Sequence, residues 1–267
     1  MRISLGRYIP GNSLFHKADP RTKLIWTIVM MVFILLCVTK WEYLLATGFV
    51  VLFFLLSGIN VKYVFRSLRP VAFLMLITTV FNLIFYKGAN IMFSIGTFCV
   101  YWEALFLSVK MVLRIFMLIV SASLLTYTTT SVSITDGMEY LLRPLSAIRF
   151  PSHEIAMMMS ISLRFIPMFA DETDKIIKAQ SSRGAEFESK NVIKKLKSYI
   201  PVLIPLFIGA FKSAEDMSVA MESRCYRGGK GRTKYKNLKF SGSDLVLLII
   251  TVVFCISVVL MRFVFKI

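Results

Sequence analysis

A chain of 267 residues, 57% of them hydrophobic and with a mean hydropathy of +0.70, is more apolar than a soluble domain, where about 45–50% is usual. Its formal net charge of +17 lies beside the apolar runs, where it sets topology and meets anionic lipid, so a bilayer and not nucleic acid is the expected partner. The four cysteines, Cys37, Cys99, Cys225 and Cys255, are scattered without metal-ligand or redox spacing, which argues against a disulfide framework.

Tyr8-Ile9-Pro10-Gly11-Asn12-Ser13 reads as a turn-rich lead-in. Asp19 followed by Pro20 predicts a helix start, with Asp19 as N-cap and Pro20 at the first helical position. Charge-free apolar runs follow at 24–39, 43–59, 71–86 and 245–261, and a fifth run at 104–127 carries Lys110 and Arg114. A span needs about 20 mainly apolar residues and about 17 at the least, with interfacial aromatic and basic residues completing the shorter ones, so about five crossings are expected. No cleavable signal peptide is expected, because the first apolar run follows a mixed segment with Pro10, Pro20 and several charges and lacks a small-residue cleavage site after it.

The basic residues alternate. Arg2, Arg7, Lys17, Arg21 and Lys23 precede the first span, Lys40 alone marks the first turn, Lys62, Arg66 and Arg69 mark the second, and Lys87 alone follows the third span. This predicts a cytoplasmic N-terminus, a cytoplasmic basic region after the fourth span and an outer C-terminus, with Arg262 and Lys266 as a mild exception. The apolar stretch 87–102 is broken by Gly88 and Gly96 and predicts an extended loop or short hairpin on the outer face.

Beyond Tyr127 the pattern changes. Thr135-Asp136 is expected to cap a short amphipathic helix over 137–148, ended by Phe150-Pro151. Ser152 is expected to cap a long helix over 153–183, kinked at Pro167. A third pattern runs over 191–226, interrupted by Pro201 and Pro205 and ended by Gly228-Gly229-Lys230-Gly231, a flexible basic linker. Its apolar part, 200–211, is too short for a span and reads as protein-buried or interfacial. The expected architecture is an all-α integral membrane protein with about five transmembrane helices plus three long cytoplasmic helices. It divides into a membrane region 1–127, a cytoplasmic helical region 128–242 and a last transmembrane helix 243–267.

Two segments of the basic region repeat each other. Ala179-Gln180-Ser181-Ser182-Arg183-Gly184 and Ala220-Met221-Glu222-Ser223-Arg224-Cys225 both read Ala-x-x-Ser-Arg-small, and each closes a helical stretch. Arginine near a helix C-terminus is ordinary dipole complementarity when it occurs once. Twice, in the same setting, it reads as a pair of exposed plugs whose guanidinium groups enter carboxylate-lined grooves on other proteins.

Met157, Met158 and Met159, with Met168 further on, form a pliable surface suited to interchangeable partners, although an ordinary packed face explains them equally well. Lys110 and Arg114 are four residues apart and share a helix face. They are expected to pair with Glu103 or with backbone carbonyls rather than to form an ion relay. The glycine-rich linker fails as a phosphate-binding loop, with Arg224 and Gly231 where glycine and Ser or Thr are needed. His16 and His153 lack metal-ligand neighbours, and no nucleophile–base pair or paired-carboxylate site is evident.

These residues resemble the transmembrane T subunit family of energy-coupling factor (ECF) transporters, across nearly the whole chain. The resemblance is carried by Ile9-Pro10-Gly11-Asn12-Ser13, Asp19-Pro20-Arg21-Thr22-Lys23, Thr135-Asp136-Gly137-Met138-Glu139, Leu142-Arg143-Pro144-Leu145, Leu163-Arg164-Phe165-Ile166-Pro167 and both serine-arginine segments. It implies membrane helices joined to long cytoplasmic coupling helices, each ending in an x-Arg-x motif that docks on one of two ABC-type ATPase subunits. Those motifs map onto Ser182, Arg183 and Gly184 and onto Ser223, Arg224 and Cys225, where the family usually has Ala-Arg-Gly.

The resemblance also implies one of several small membrane S subunits as a further partner, captured by a surface to which Met157, Met158 and Met159 are assigned. It implies vitamin or micronutrient uptake across a bacterial cell membrane, with no cofactor of the chain's own, ATP and Mg being bound by the ATPases, and no catalysis by this subunit. Two other readings are a T subunit dedicated to one substrate such as cobalt, nickel or biotin, and a membrane enzyme. Against the enzyme stands the lack of clustered His, Cys or paired acids in the spans.

Overall fold

The computed structural model describes residues 8–86, 88, 90–95, 98–144, 150–185, 187, 191–228 and 240–264. These fall into two compact units, one built from Gly6–Gly137 with Leu238–Ile267 and the other chiefly from Met138–Asn237. In chain order the helices are α1 (Leu14–Lys17), α2 (Pro20–Leu36), α3 (Lys40–Ser57), α4 (Val61–Phe85), α5 (Trp102–Thr128), α6 (Ser131–Leu142), α7 (Ser152–Ser182), α8 (Val192–Ser223) and α9 (Gly242–Val264). Between α4 and α5 lies an antiparallel hairpin of β1 (Ile91–Ile95) and β2 (Phe98–Tyr101), with Ile95 opposite Phe98 and an irregularity between Ile91 and Phe93. The fold is that of an all-α membrane protein to which this hairpin, anticipated at 87–102, is a local addition.

In the first unit α2, α3, α5 and α9 pack around one core, and α4 lies along α5. Phe15, Trp26 and Phe53 meet edge to face at centroid distances of 4.9, 4.8 and 5.7 Å. Met30, Ile34, Val50, Met117, Leu124 and Phe254 complete this core. Outward, α4 buries only Val64 and presents Phe73, Leu76 and Phe81, the apolar exterior that a bilayer covers.

The helix starts show how sequence becomes geometry. Asp19 is the N-cap of α2 as its sequence predicts, its carboxylate accepting from Arg21 N at 2.9 Å, with Pro20 first in the helix. Asp244, in the first turn of α9, accepts from Asp19 N at 2.6 Å and from Ser241 N at 2.7 Å, so one side chain joins the starts of α2 and α9. The buried Lys23 ammonium donates to Thr128 O at 3.1 Å and His16 O at 3.3 Å, which fastens the end of α5 to the same place. Glu42 accepts from Val38 N at 2.7 Å and Thr39 N at 3.0 Å and turns the chain from α2 into α3.

Lys110 and Arg114 answer to the carbonyl alternative. Arg114 donates to Cys37 O at 2.7 Å and Lys110 to Val38 O at 3.0 Å, so two cations of α5 satisfy carbonyls just past the end of α2. Glu103 is engaged elsewhere, accepting from Asn90 N and Asn90 Nδ2 at 3.2 and 3.1 Å.

Several boundaries differ from the sequence reading. Helix α4 begins at Val61, capped by Asn60, and continues through Pro70, so Lys62, Arg66 and Arg69 lie in its early turns and not in a connecting turn. Helix α6 begins at Ser131, because Thr130 and not Thr135 does the capping: its hydroxyl accepts from Ser133 N at 3.3 Å. Thr135 lies inside the helix and donates to Ser131 O, while Gly137 lets α6 pass close to α2, since a Cβ there would stand 3.1 Å from Leu24 Cδ1. The expected end of α6, 145–148, lies outside the described residues, as do 229–239 of the basic linker. Ser152 is the first residue of α7, following Pro151, and makes no side-chain cap.

Among the described residues five helices are long and apolar enough to cross a membrane: α3, α4, α5, most of α8 and most of α9. The number matches the sequence reading but the membership differs. Helix α2, with 17 residues, sits at the lower limit. Helix α8 qualifies because it runs unbroken through Pro201 and Pro205, so the apolar part 200–211, too short by itself, lies within one long helix.

Candidate functional site

The second unit is dominated by α7 and α8, of 31 and 32 residues, which run antiparallel. Near the turn between them the Phe187 and Tyr199 rings meet at 5.4 Å. Midway, Gly209 lets α8 approach α7, because a Cβ there would lie 3.0 Å from Glu172 Oε1. At the far end Met157 to Arg164 face Met217 to Arg224 across a cleft. Glu139 accepts from His153 Nδ1 at 3.2 Å and holds the end of α6 at the start of α7.

Both serine-arginine segments fold the same way. At the end of α7, Gly184 N donates to Ser181 O and Ala185 N to Gln180 O, each at 3.0 Å. At the end of α8, Cys225 N donates to Glu222 O at 2.9 Å and Tyr226 N to Met221 O at 3.0 Å. This is the paired 6→1 and 5→2 bonding that closes a helix through a left-handed residue. The left-handed residue is Gly184 in one case, with φ 89°, and Cys225 in the other, with φ 56°. Arg183 and Arg224 occupy the same cap position with nearly the same backbone, φ −90° and ψ 7° or 13°.

The consequence is electrostatic. Because the backbone closes each helix on itself, the last carbonyls do not need the arginine. Arg183 and Arg224 are exposed, and neither side chain has a hydrogen-bond or ion-pair partner among the described residues. The serine before each arginine bonds inward, Ser182 Oγ to Lys178 O at 3.1 Å and Ser223 Oγ to Ala220 O at 3.0 Å. Each hydroxyl is thereby satisfied by its own helix, and the flank beside the guanidinium stays small.

Since the helices are antiparallel, their C-terminal ends lie apart. The α8 end is separated from the turn near Arg183 by the length of α8, about 45 Å at roughly 1.5 Å per residue. Each arginine therefore presents itself to a different place on any partner.

The cleft beside Arg224 has a volume of about 560 Å³. Met157, Ser160, Ile161 and Arg164 line it from α7, Met217, Met221 and Arg224 from α8, and Cys225, Tyr226, Arg227 and Gly228 from the segment beyond. The methionine run is thus divided: Met157 lines the cleft, whereas Met158 and Met159, 56% and 39% exposed, do not. Arg164 and Arg227 joined no site in the motif reading. The signal for Arg164 was helical spacing, since 157, 160, 161 and 164 fall on one face of α7, whereas Arg227, beyond the end of α8, had none. Among the described residues no three His, Cys, Asp or Glu side chains gather as a metal-ligand set.

Comparison with known proteins agrees with this reading in family. The family model for CbiQ, described as a cobalt transport protein, matches residues 11–235. The chain is 53% identical over 263 residues to the energy-coupling factor transporter transmembrane protein EcfT of Ruminiclostridium cellulolyticum, covering 98% of both chains. It is 45% identical over 262 residues to the EcfT of Thermosediminibacter oceani, again covering 98% of both. With the EcfT of Bacillus subtilis the identity is 43% over 249 residues, 93% of this chain and 94% of the relative.

Proposed function

As a member of the family of energy-coupling factor transporter transmembrane proteins, this chain, we propose, is the scaffold and coupling subunit of an ATP-driven importer. In this reading two ABC-type ATPase subunits dock on the α7 and α8 ends through Arg183 and Arg224. ATP binding and hydrolysis in those partners, with Mg, move the two ends. Helices α7 and α8, held by the Gly209–Glu172 approach, carry that motion to a small membrane S subunit, which turns and releases a vitamin or micronutrient inward. The chain contributes position and leverage, not a reaction of its own. The N-terminus and the coupling region 128–242 then face the cytoplasm of a bacterial cell, between a membrane region 1–127 and a last span 243–267.

The observation that carries this proposal is the pair of equivalent, unengaged arginines at opposite ends of one antiparallel helix pair. A single small partner does not reach across about 45 Å, whereas two subunits do. Met158 and Met159, exposed on α7, remain assigned to the S subunit together with Met157, which also lines the cleft.

The test is co-purification of the tagged chain with its ATPases, alongside uptake in reconstituted vesicles. A docked, desolvated guanidinium–carboxylate pair loses about 3–5 kcal/mol when one partner is removed, against about 0–1 kcal/mol for an exposed pair. Arg183→Ala and Arg224→Ala are each expected to weaken retention of one ATPase at least a hundredfold, and the double variant to stop uptake. Normal uptake by the double variant would sink the proposal.

A second reading concerns substrate. The matching family model is described by cobalt transport, which favours a subunit dedicated to one metal-capturing partner. Mass spectrometry of what co-purifies decides: several different small membrane proteins support shared use, and one protein supports the dedicated system.

A further inference from the structure

The cleft at the α8 end collects three guanidinium groups and, among the described residues, no carboxylate. Arg164 comes from α7, Arg224 from the cap of α8, and Arg227 from the segment that follows. None of the three has a hydrogen-bond or ion-pair partner among the described residues. The remaining wall is largely apolar and pliable, with Met157, Met217 and Met221. An occupant that fits such a wall carries negative charge at one point and apolar surface around it. The volume of about 560 Å³ suits a few side chains and not a whole helix.

Resting on the docking proposal above, we infer that this cleft is a socket for an acidic side chain, flanked by apolar ones, on the ATPase subunit that binds the α8 end. The cleft shares Arg224 and Cys225 with the docking segment, so a protein seated on that segment is already at its mouth. Arg183 is not among its lining residues. The two ends therefore offer the same plug, but the socket lies beside Arg224. Arg164 and Arg227 then act as selectors, favouring at the α8 end the ATPase that carries the acidic, apolar-flanked segment. A guanidinium fork grips a carboxylate in two places, which lysine does only as a point charge.

The experiment uses the complete complex purified in mild detergent, with the chain carrying Arg164→Glu, Arg164→Lys or Arg224→Ala. Arg164 is exposed on α7, so charge reversal leaves the helix intact, which the melting temperature checks. Arg164→Glu is expected to weaken retention of one ATPase at least tenfold while the other stays bound, and Arg164→Lys, which keeps the charge but loses the two-point grip, to recover only part of it. If Arg224→Ala loses an ATPase but Arg164→Glu loses none, the socket is wrong and the docking proposal stands. If neither variant loses an ATPase, both are wrong.

Two further readouts separate the sources of negative charge. A photocrosslinker attached through Ser160→Cys in the cleft is expected to capture an Asp- or Glu-bearing segment of one ATPase. Capture of lipid alone overturns the socket. So does loss of binding to phosphatidylglycerol vesicles by Arg164→Glu with ATPase retention unchanged, because the cleft would then serve lipid headgroups.

Discussion

Cations stand at the C-terminal ends of helices in both units, and the two units use them in opposite ways. At the end of α2, Arg114 and Lys110 reach in from α5 and satisfy Cys37 O and Val38 O. At the ends of α7 and α8 the backbone closes itself, and Arg183 and Arg224 are left without a partner among the described residues. The first arrangement ties one helix to another. The second leaves a charge at the surface for something else to bind. A helix end that caps itself through a left-handed residue frees its arginine for an intermolecular role, whereas a helix end that stops in extended backbone, as α2 does at Cys37, needs a cation from elsewhere.

That contrast breaks first at Arg114. Removing this side chain strands the Cys37 carbonyl, and an unsatisfied buried polar group costs about 1–3 kcal/mol. Arg114→Ala is therefore expected to lower the melting temperature of the purified chain clearly while ATPase retention per folded molecule stays unchanged. Arg183→Ala and Arg224→Ala are expected to do the reverse, leaving the melting temperature within error of the parent. Equal melting temperatures for Arg114→Ala and the parent would show that the α2 end does not depend on its cation.

The next effect in size sits at Gly184. A Cβ there meets nothing within 4 Å, so any cost is conformational alone. A β-branched residue forced to φ near 89° carries about 1–2 kcal/mol of strain. Gly184→Val is expected to open the cap of α7, misplace Arg183 and weaken one ATPase several-fold. Retention equal to the parent would mean that the left-handed cap is not what positions that arginine.

The two halves of this contrast were not equally readable beforehand. The two serine-arginine segments announced themselves by repetition, Ala-x-x-Ser-Arg-small twice, and Asp19-Pro20 marked the start of α2 by cap chemistry that acts over a few residues. What Lys110 and Arg114 bind could be narrowed to Glu103 or carbonyls, but choosing Cys37 O and Val38 O required knowing that α5 lies against the end of α2, contacts more than seventy positions apart. Pro201 and Pro205 misled for a related reason. Proline removes one helix bond locally, yet α8 continues through both, so the interruption read at them is absent, whereas α4 starts ahead of its charge-free run because Lys62, Arg66 and Arg69 lie inside the helix. The start of α6 turned on whether Thr130 or Thr135 supplied the cap, a choice between two threonines that local pattern leaves equal.

The smallest effect tests whether the α7 and α8 ends are truly equivalent. Cys225 holds φ 56° without being glycine, and a left-handed L-residue costs about 1–2 kcal/mol. Cys225→Gly removes that strain but loosens the unfolded chain by about 0.5–1 kcal/mol, so the net gain is between about 0 and 1.5 kcal/mol. Cys225→Ala keeps the strain and isolates the sulfur, and is expected to show no gain. The reciprocal change, Gly184→Cys, is expected to cost about what Cys225→Gly recovers, with Arg183 still presented. If Cys225→Gly stabilises while Cys225→Ala does not, and both retain their ATPases, then cap geometry and not the identity of the flanking residue is what the α8 end must provide. If Cys225→Ala alone loses an ATPase, the thiol contacts that partner and the two ends differ in chemistry as well as in strain.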